Sequence, residues 1–552
     1  MKKLFLALFA AAAIIGCSKN DVIPSVAEDG ATSGIKVAFK AMTKAEEAPA
    51  YANGTVEEQA VETVTFYFFD ENGGQFAVKG TDNFLSATVE DGFTSTQEGT
   101  SIEALSNVML VIKKVDVSNF PTQMVAVINA PESVKKSMTL EELKAVDFTT
   151  LKSSDGFIMT NSVYADGSNV ISTTAITADN FFEAKLNKGD EGYNAPGVYV
   201  NPNDDSYAAA AAKAVQIYVE RVAAKVLVTV KDIYETSKEN VKLVAEDGTV
   251  IETKVYAKVL GWGITNNTAE AKALKVINPA WTLTFPWNDM PNCRSYWATT
   301  TATPAHNLSF NAVKGHTTVV DYYFENTLPY AENNVVTPKA NNVPTPSVAG
   351  ADYNQASLLL VAAQLVDAKG EALPISKWYS TYYAGEGAKV QMIGSVAHKL
   401  FVNNPNGEGV VSATATDVDW VQTAEDEANG RYKVYPVAKE GTSYFTTKVV
   451  NGETTVVALE DANTILSTIL PGQIWKTGYT YYYAPIKHYG EEIGIVRNHA
   501  YEVNVTALAG LGTPVYDPYH IITPEKPGDD EANLAAVINI NAWAVVSGDY
   551  EL

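Results

Sequence analysis

The chain has 552 residues, 46% of them apolar and 19% charged, with 29 Tyr and 19 Phe. That length and composition support two or three folded domains rich in β structure and exclude a disordered chain. A net charge of −24 argues against a nucleic-acid or anionic-membrane binder, and two cysteines, Cys17 and Cys293, build neither a disulfide framework nor a cysteine metal site.

Lys2-Lys3, the apolar run Leu4–Ile15 and then Gly16-Cys17 make a signal peptide over 1–16, too short in its apolar part to span a bilayer. Ile14–Cys17 resembles a bacterial lipobox, which makes Cys17 the expected acylation site, palmitate included. Ser18–Asp21 loosely resembles the tag that sends lipoproteins of Bacteroidetes to the cell surface. Gly34–Lys44 alternates, with Ile35, Val37, Phe39 and Ala41 on one face, the period of a strand with one buried side. An acidic stretch without periodicity follows it, from Ala45 to Gly54. A core strand hung between a tether and a loose linker, and ending on basic Lys44, reads as removable.

Val64–Phe69 is a dense strand closed by the turn Asp70–Gly74; Val108–Ile112 and Met124–Asn129 are further strands, and Thr139-x-x-Glu142 is a capping box. Ser133–Lys136 and Lys476–Gly478 match the SxxK and KTG motifs of penicillin-binding enzymes in form, but the SDN element is absent. They read as an exposed helical turn and a turn before a strand. Residues 186–206 read as a loop and Ala208–Ala212 as a helix or connector. Val219–Val230 opens a second set of strands that includes Tyr256–Ile264, Leu358–Val366, Tyr479–Pro485 and Tyr501–Leu508. Pro, Gly and acidic residues over 512–532 predict an extended linker. Beyond it Asn533–Leu552 alternates again, with Ile538, Ile540, Ala542, Ala544 and Val546 on one face and Trp543 opposite. The tail is apolar where a terminus is expected to be polar. It reads as a strand built to reach something, with docking on its own domain as the alternative.

Taking a strand out of a sandwich leaves an apolar groove with unpaired backbone edges, which template another strand. Donation of a tail into that groove is heterologous, so identical subunits extend into an open filament. The two ends of the chain carry the two halves of such a device.

The lipobox, the alternating first strand, Glu220–Val226 within Val219–Val230, Gly478–Ile486, Gly494–Val505 and the closing Ile540–Trp543 and Asp549–Leu552 resemble the fimbrillins of Bacteroidales. The likeness is greatest to Mfa-type shaft subunits and runs nearly end to end, though 85–215 and 290–470 match only in general character. The resemblance implies a mainly β protein of two transthyretin-like antiparallel β-sandwich domains, with a few short helices and a C-terminal donor strand. It implies an outer-membrane lipoprotein precursor that a trypsin-like surface protease cuts, after which subunits join type V pili by strand exchange. The boundaries that follow are a lipidated propeptide over 17–44, domains over 45–215 and 216–511, the linker over 512–532 and the donor strand over 533–552. Carried over, the cut falls between Lys44 and Ala45. The best-known members have Arg there, and this chain has no Arg before Arg221, so a Lys-tolerant protease is implied, or an uncut basal anchor.

The partners implied are further copies of the chain, tip and anchor fimbrillins, the protease, and host or bacterial surface ligands; nucleic acid is excluded. Arg497, Asn498 and His499 read as structural, since no nucleophile or paired acid accompanies them, and Tyr479 and Tyr481–Tyr483 read as cross-strand packing before a sugar platform. A surface glycan-binding lipoprotein is the competing reading, but it has no need of a strand-like tail. A hydrolase lacks its motifs: no GxSxG, HExxH or metal-ligand cluster is present, and no metal or cofactor is implied.

Overall fold

A computed structural model of the chain describes residues 32–40, 54–78, 80–88, 107–112, 120–166, 169–180, 182–184, 197–199, 215–236, 240–277, 298–327, 355–422, 433–486, 494–524, 534–541 and 546–548. The N-terminal domain is built from β1 (Thr32–Lys40), β2 (Thr63–Phe69), β3 (Phe84–Thr88), β4 (Asn107–Ile112), β5 (Gln123–Ile128), β6 (Met159–Asn161), β7 (Phe182–Ala184), β8 (Gly197–Tyr199) and β9 (Val215–Arg221). They share one sheet in the order β8-β4-β1-β9-β6-β5-β2-β3, with β7 paired to β1. Within it β2 and β5 are buried on both faces, which is why β2 is apolar almost throughout rather than alternating. Phe66 and Phe68 enter one core with Ile217 and Val219, while Tyr67 and Phe69 enter a second with Leu143 and Phe148.

Local chemistry fixes the turns. Asp70 Oδ1 accepts from the amides of Asn72 and Gly74, both at 2.8 Å, closing the expected turn after β2. Thr139 and Glu142 form the expected capping box, which opens the short helix Leu140–Ala145. A second capping box, Thr55 with Glu58, opens α1 (Val56–Gln59).

The C-terminal domain is a sandwich of two sheets. One contains β10 (Ala224–Thr229), the other β11 (Ile233–Glu235) and β12 (Tyr256–Thr265); β13 (Val320–Tyr323) returns to the first and β14 (Leu358–Val366) to the second. The later strands are β15 (Tyr479–Pro485), β16 (Ala500–Leu508), β17 (Thr513–Pro514), β18 (Leu534–Asn541) and β19 (Val546–Gly548). The sheet orders are β13-β10-β16-β18-β19 and β11-β12-β14-β15-β17. Their facing side chains, among them Val226, Trp262, Val361, Tyr482, Tyr501 and Val503, make one core. Between β14 and β15 the chain forms a further core around Met392, Ile393, Leu400, Trp420, Val434 and Leu466.

Three features differ from the sequence reading. Pairing is mostly antiparallel, but the first strand of each domain lies parallel to that domain's last main strand: β1 beside β9, and β10 beside β16. Val219–Val230 is two strands, since β9 ends at Arg221 and β10 starts at Ala224, with Val222 and Ala223 fully buried between them. The N-terminal sheet therefore keeps β9, and the next sheet starts with β10. The linker expected from residue 512 is packed over its first part, with Val515 and Ile522 buried beside Phe310 and Tyr481.

Candidate assembly interface

β1 occupies an interior slot. On one side it runs antiparallel to β4, from Ser33 opposite Ile112 to Ala38 opposite Asn107. On the other it pairs with β7 over Thr32–Gly34 and runs parallel to β9 from Val37 beside Val215 to Lys40 beside Tyr218. Val37 and Phe39 thus hold the register positions of Val215 and Ile217, whose side chains lie in the core; Ile35 stands opposite Leu110. Loss of β1 opens a backbone slot between β4 and β9. Edges of that kind pair readily with an incoming strand.

The tail is a strand and its return. β18 lies antiparallel to β16 from Leu534 opposite Leu508 to Asn541 opposite Ala500, with a bulge near Val505, and β19 folds back on β18. In this chain the tail is docked on its own domain, the alternative that the sequence left open. Ile538 and Ile540 stand opposite Val503 and Tyr501, and Val546 begins β19. β18 has 8 residues and β1 has 9, both near 28 Å long at about 3.3 Å per residue. Cys17, Ala41, Lys44, Ala45, Ala542, Trp543 and Ala544 lie outside the described residues.

Where the two domains meet, a charged cluster joins the start of the described N-terminal domain to both sheets that carry these strands. Glu58 is 1% exposed. Its Oε2 accepts from the Thr55 amide at 2.7 Å; its Oε1 is 2.7 Å from Lys225 Nζ and accepts from the Tyr322 hydroxyl. Burial alone would raise this carboxyl, but the bonds from Lys225, Tyr322 and Thr55 together hold it below the ordinary glutamate range. Arg221, the last residue of β9, donates from Nε to the Glu58 carbonyl at 2.8 Å and from its amide to Asn498 Oδ1 at 3.1 Å. Sequence reasoning missed this cluster. Thr55-x-x-Glu58 carries the same signal as Thr139-x-x-Glu142, but its partners are remote in the chain.

A second set lies beside it. Arg497 is fully buried and makes a two-pronged pair with Glu325, at 2.9 and 2.6 Å, while Nη2 donates to the Lys272 carbonyl at 2.8 Å. Lys275 Nζ lies 2.7 Å from Glu220 Oε2. Burial lifts the Glu220 carboxyl above the usual range against the pull of Lys275 and Arg497. His499 donates from Nδ1 to the Arg497 carbonyl at 2.8 Å, and its burial lowers its pKa to about 4. Arg497 and Asn498 thus serve backbone groups of other segments. Tyr481 and Tyr482 are buried, and Tyr482 donates to the Gly510 carbonyl at 2.9 Å, which suits packing rather than a sugar platform. Ser133 lies in a 3-10 turn over Glu132–Val134, and Lys476–Gly478 is a turn directly before β15. Among the described residues no group of three or more His, Cys, Asp or Glu is placed to hold a metal ion.

No protein-family model matches the chain, and no curated protein matches it. Solved structures do. One is a "putative cell adhesion protein" of Parabacteroides distasonis, 12% identical, with 94% of this chain and 99% of that one covered at a TM-score of 0.34. Another is a fimbrial assembly protein of the same organism, 9% identical, covering 77% of this chain and 99% of that one at 0.25. A third is the tip fimbrial protein Mfa3 of Porphyromonas gingivalis with a C-terminal truncation, 11% identical, covering 92% and 99% at 0.27. At these identities and TM-scores the likenesses carry no weight in the functional reading, which stands on the residues of this chain.

Proposed function

We propose that the chain is a structural subunit of a surface fimbria, exported as a lipoprotein on Cys17 and joined to other subunits by strand exchange after proteolysis near Lys44. The observation that carries this reading is the placement of β1: the N-terminal strand, which is followed in sequence by an acidic stretch without periodicity, fills an interior slot between β4 and β9. Most interior strands are held by short connections at both ends, and excision of one destroys a domain. Here a single cut after β1 frees the strand and leaves the rest of the sheet connected. The incoming strand is the tail of another copy, similar in length to β1, which leaves the edge of its own β16 to enter the slot. Adhesion then follows from the filament rather than from a catalytic site.

Deletion of 533–552 tests this. Cut wild-type chain is expected to form multimers that survive SDS without boiling, and the deleted chain, cut in the same way, is expected to stay monomeric while still folding. Multimers of the deleted chain with the same yield would overturn the proposal.

A further inference from the structure

Glu58 stands at a mechanical crossing. The segment that carries it follows directly on the stretch where the cut is proposed. Its backbone carbonyl is held by Arg221, which ends the groove wall β9, and its carboxylate by Lys225 and Tyr322, which belong to β10 and β13. The Lys225 amide donates to the His499 carbonyl at 2.9 Å, and Lys225 stands beside Ala500 of β16, which in turn faces Asn541 of the tail. One buried residue therefore ties these parts together, its carbonyl holding the groove wall and its carboxylate fixing that carbonyl's segment to the tail-bearing sheet.

The tie matters most when β1 is gone. With β1 present, Val215–Tyr218 pairs with Val37–Lys40. Without it, the same half of β9 keeps the bond from the Ser162 amide to the Tyr218 carbonyl, at 2.8 Å. The far half stays paired to β6 through Val219–Arg221. The position of the wall then depends on how firmly its Arg221 end is fixed. We propose that Glu58 is a positioning residue that holds β9 in register after β1 leaves, and so keeps the emptied slot able to accept a donor strand. This rests on the strand-exchange reading above.

The test uses the full chain without its signal peptide, with a site for a sequence-specific protease placed within 45–53, and compares wild type, Glu58→Gln, Lys225→Met and Lys225→Arg. Glu58→Gln keeps the shape of the side chain and removes the ion pair; Lys225→Arg retains the charge. Three readouts are taken: melting of the uncut chain, rate of SDS-resistant multimer formation after the cut, and amide hydrogen exchange over 215–221 before and after it. Expected are uncut chains that all fold, with Lys225→Met melting below wild type because it strands the buried Glu58 carboxylate, at least tenfold slower multimer formation by Glu58→Gln and Lys225→Met, loss of protection in 215–221 only after the cut, and a near wild-type rate for Lys225→Arg. A wild-type rate for Glu58→Gln overturns the inference. So does an equal loss of protection before and after the cut, which marks a structural role alone. Failure of cut wild type to form any multimer overturns the strand-exchange reading instead.

Discussion

Replacement of Arg497 by Met should cost about 4 kcal/mol of folding stability, since removal of one partner of a buried ion pair typically costs about 3–5 kcal/mol. Glu325, 3% exposed, would be left as an uncompensated buried carboxylate, and the Lys272 carbonyl would lose the donor it has at 2.8 Å. Against a typical total of about 5–15 kcal/mol this is a large fraction, and for a domain of this size it lowers the melting temperature by roughly 10 °C. The double variant Arg497→Met with Glu325→Gln removes the stranded charge and should recover more than half of the loss. Urea unfolding at pH 7 of wild type, Arg497→Met, Glu325→Gln and the double variant closes a double-mutant cycle and gives the coupling, expected above about 1.5 kcal/mol. A single variant that loses less than about 1 kcal/mol, or a double variant that loses the sum of both singles, refutes the structural assignment of Arg497.

Acid should weaken the same junction through His499. Its folded pKa of about 4 lies below the unfolded value near 6.5, so the unfolded chain binds the extra proton first. The contribution is complete above about pH 6.5 and falls through the window down to about 4, by about 2 kcal/mol at pH 5. Urea midpoints taken from pH 7.5 to 4.5 should therefore fall less steeply for His499→Asn, and parallel curves would contradict the assignment. Glu58 acts lower: with its pKa depressed, its contribution is present above the unfolded glutamate value and is lost as pH falls through the folded one. Gly512→Ala should destabilise by about 3 kcal/mol, from a left-handed backbone and overpacking together. Gly512 has φ +67, and a Cβ there would meet Thr480 Oγ1, Tyr482 Cζ at 2.9 Å and the Tyr481 carbonyl at 3.0 Å. A melting temperature within 1 °C of wild type would show that the segment leading to the tail is looser than its packing indicates.

The strands with a clear period were legible because each is a local signal. β1 and the tail show in their alternation, β2 in its density, and the turn after it in Asp70 and its glycines. The break at Val222-Ala223 was hidden because Val219–Val230 holds no Gly, Pro, Asn or Asp to mark a turn; nothing in it marks where the chain leaves one sheet for the next. The parallel pairs of β1 with β9 and of β10 with β16 join residues far apart in sequence, and no periodicity reports the partner of a strand. The stretch after Leu511 was misread as wholly extended because its Pro and Gly are the composition of a linker, while burial of Val515 and Ile522 depends on Phe310 from another part of the chain. For the junction, Arg497–His499 was read as structural on its local setting. The Glu58 cluster needed Lys225 and Tyr322 to be brought to it by the fold.

In the proposed assembly β1 leaves by proteolysis and a tail replaces it. N-terminal sequencing of the protein shed from intact cells, run beside an unboiled gel, tests it most directly. Strand exchange after the cut should give a terminus at Ala45 on a ladder of SDS-resistant multimers. A lipidated Cys17 terminus on a purely monomeric protein would contradict it.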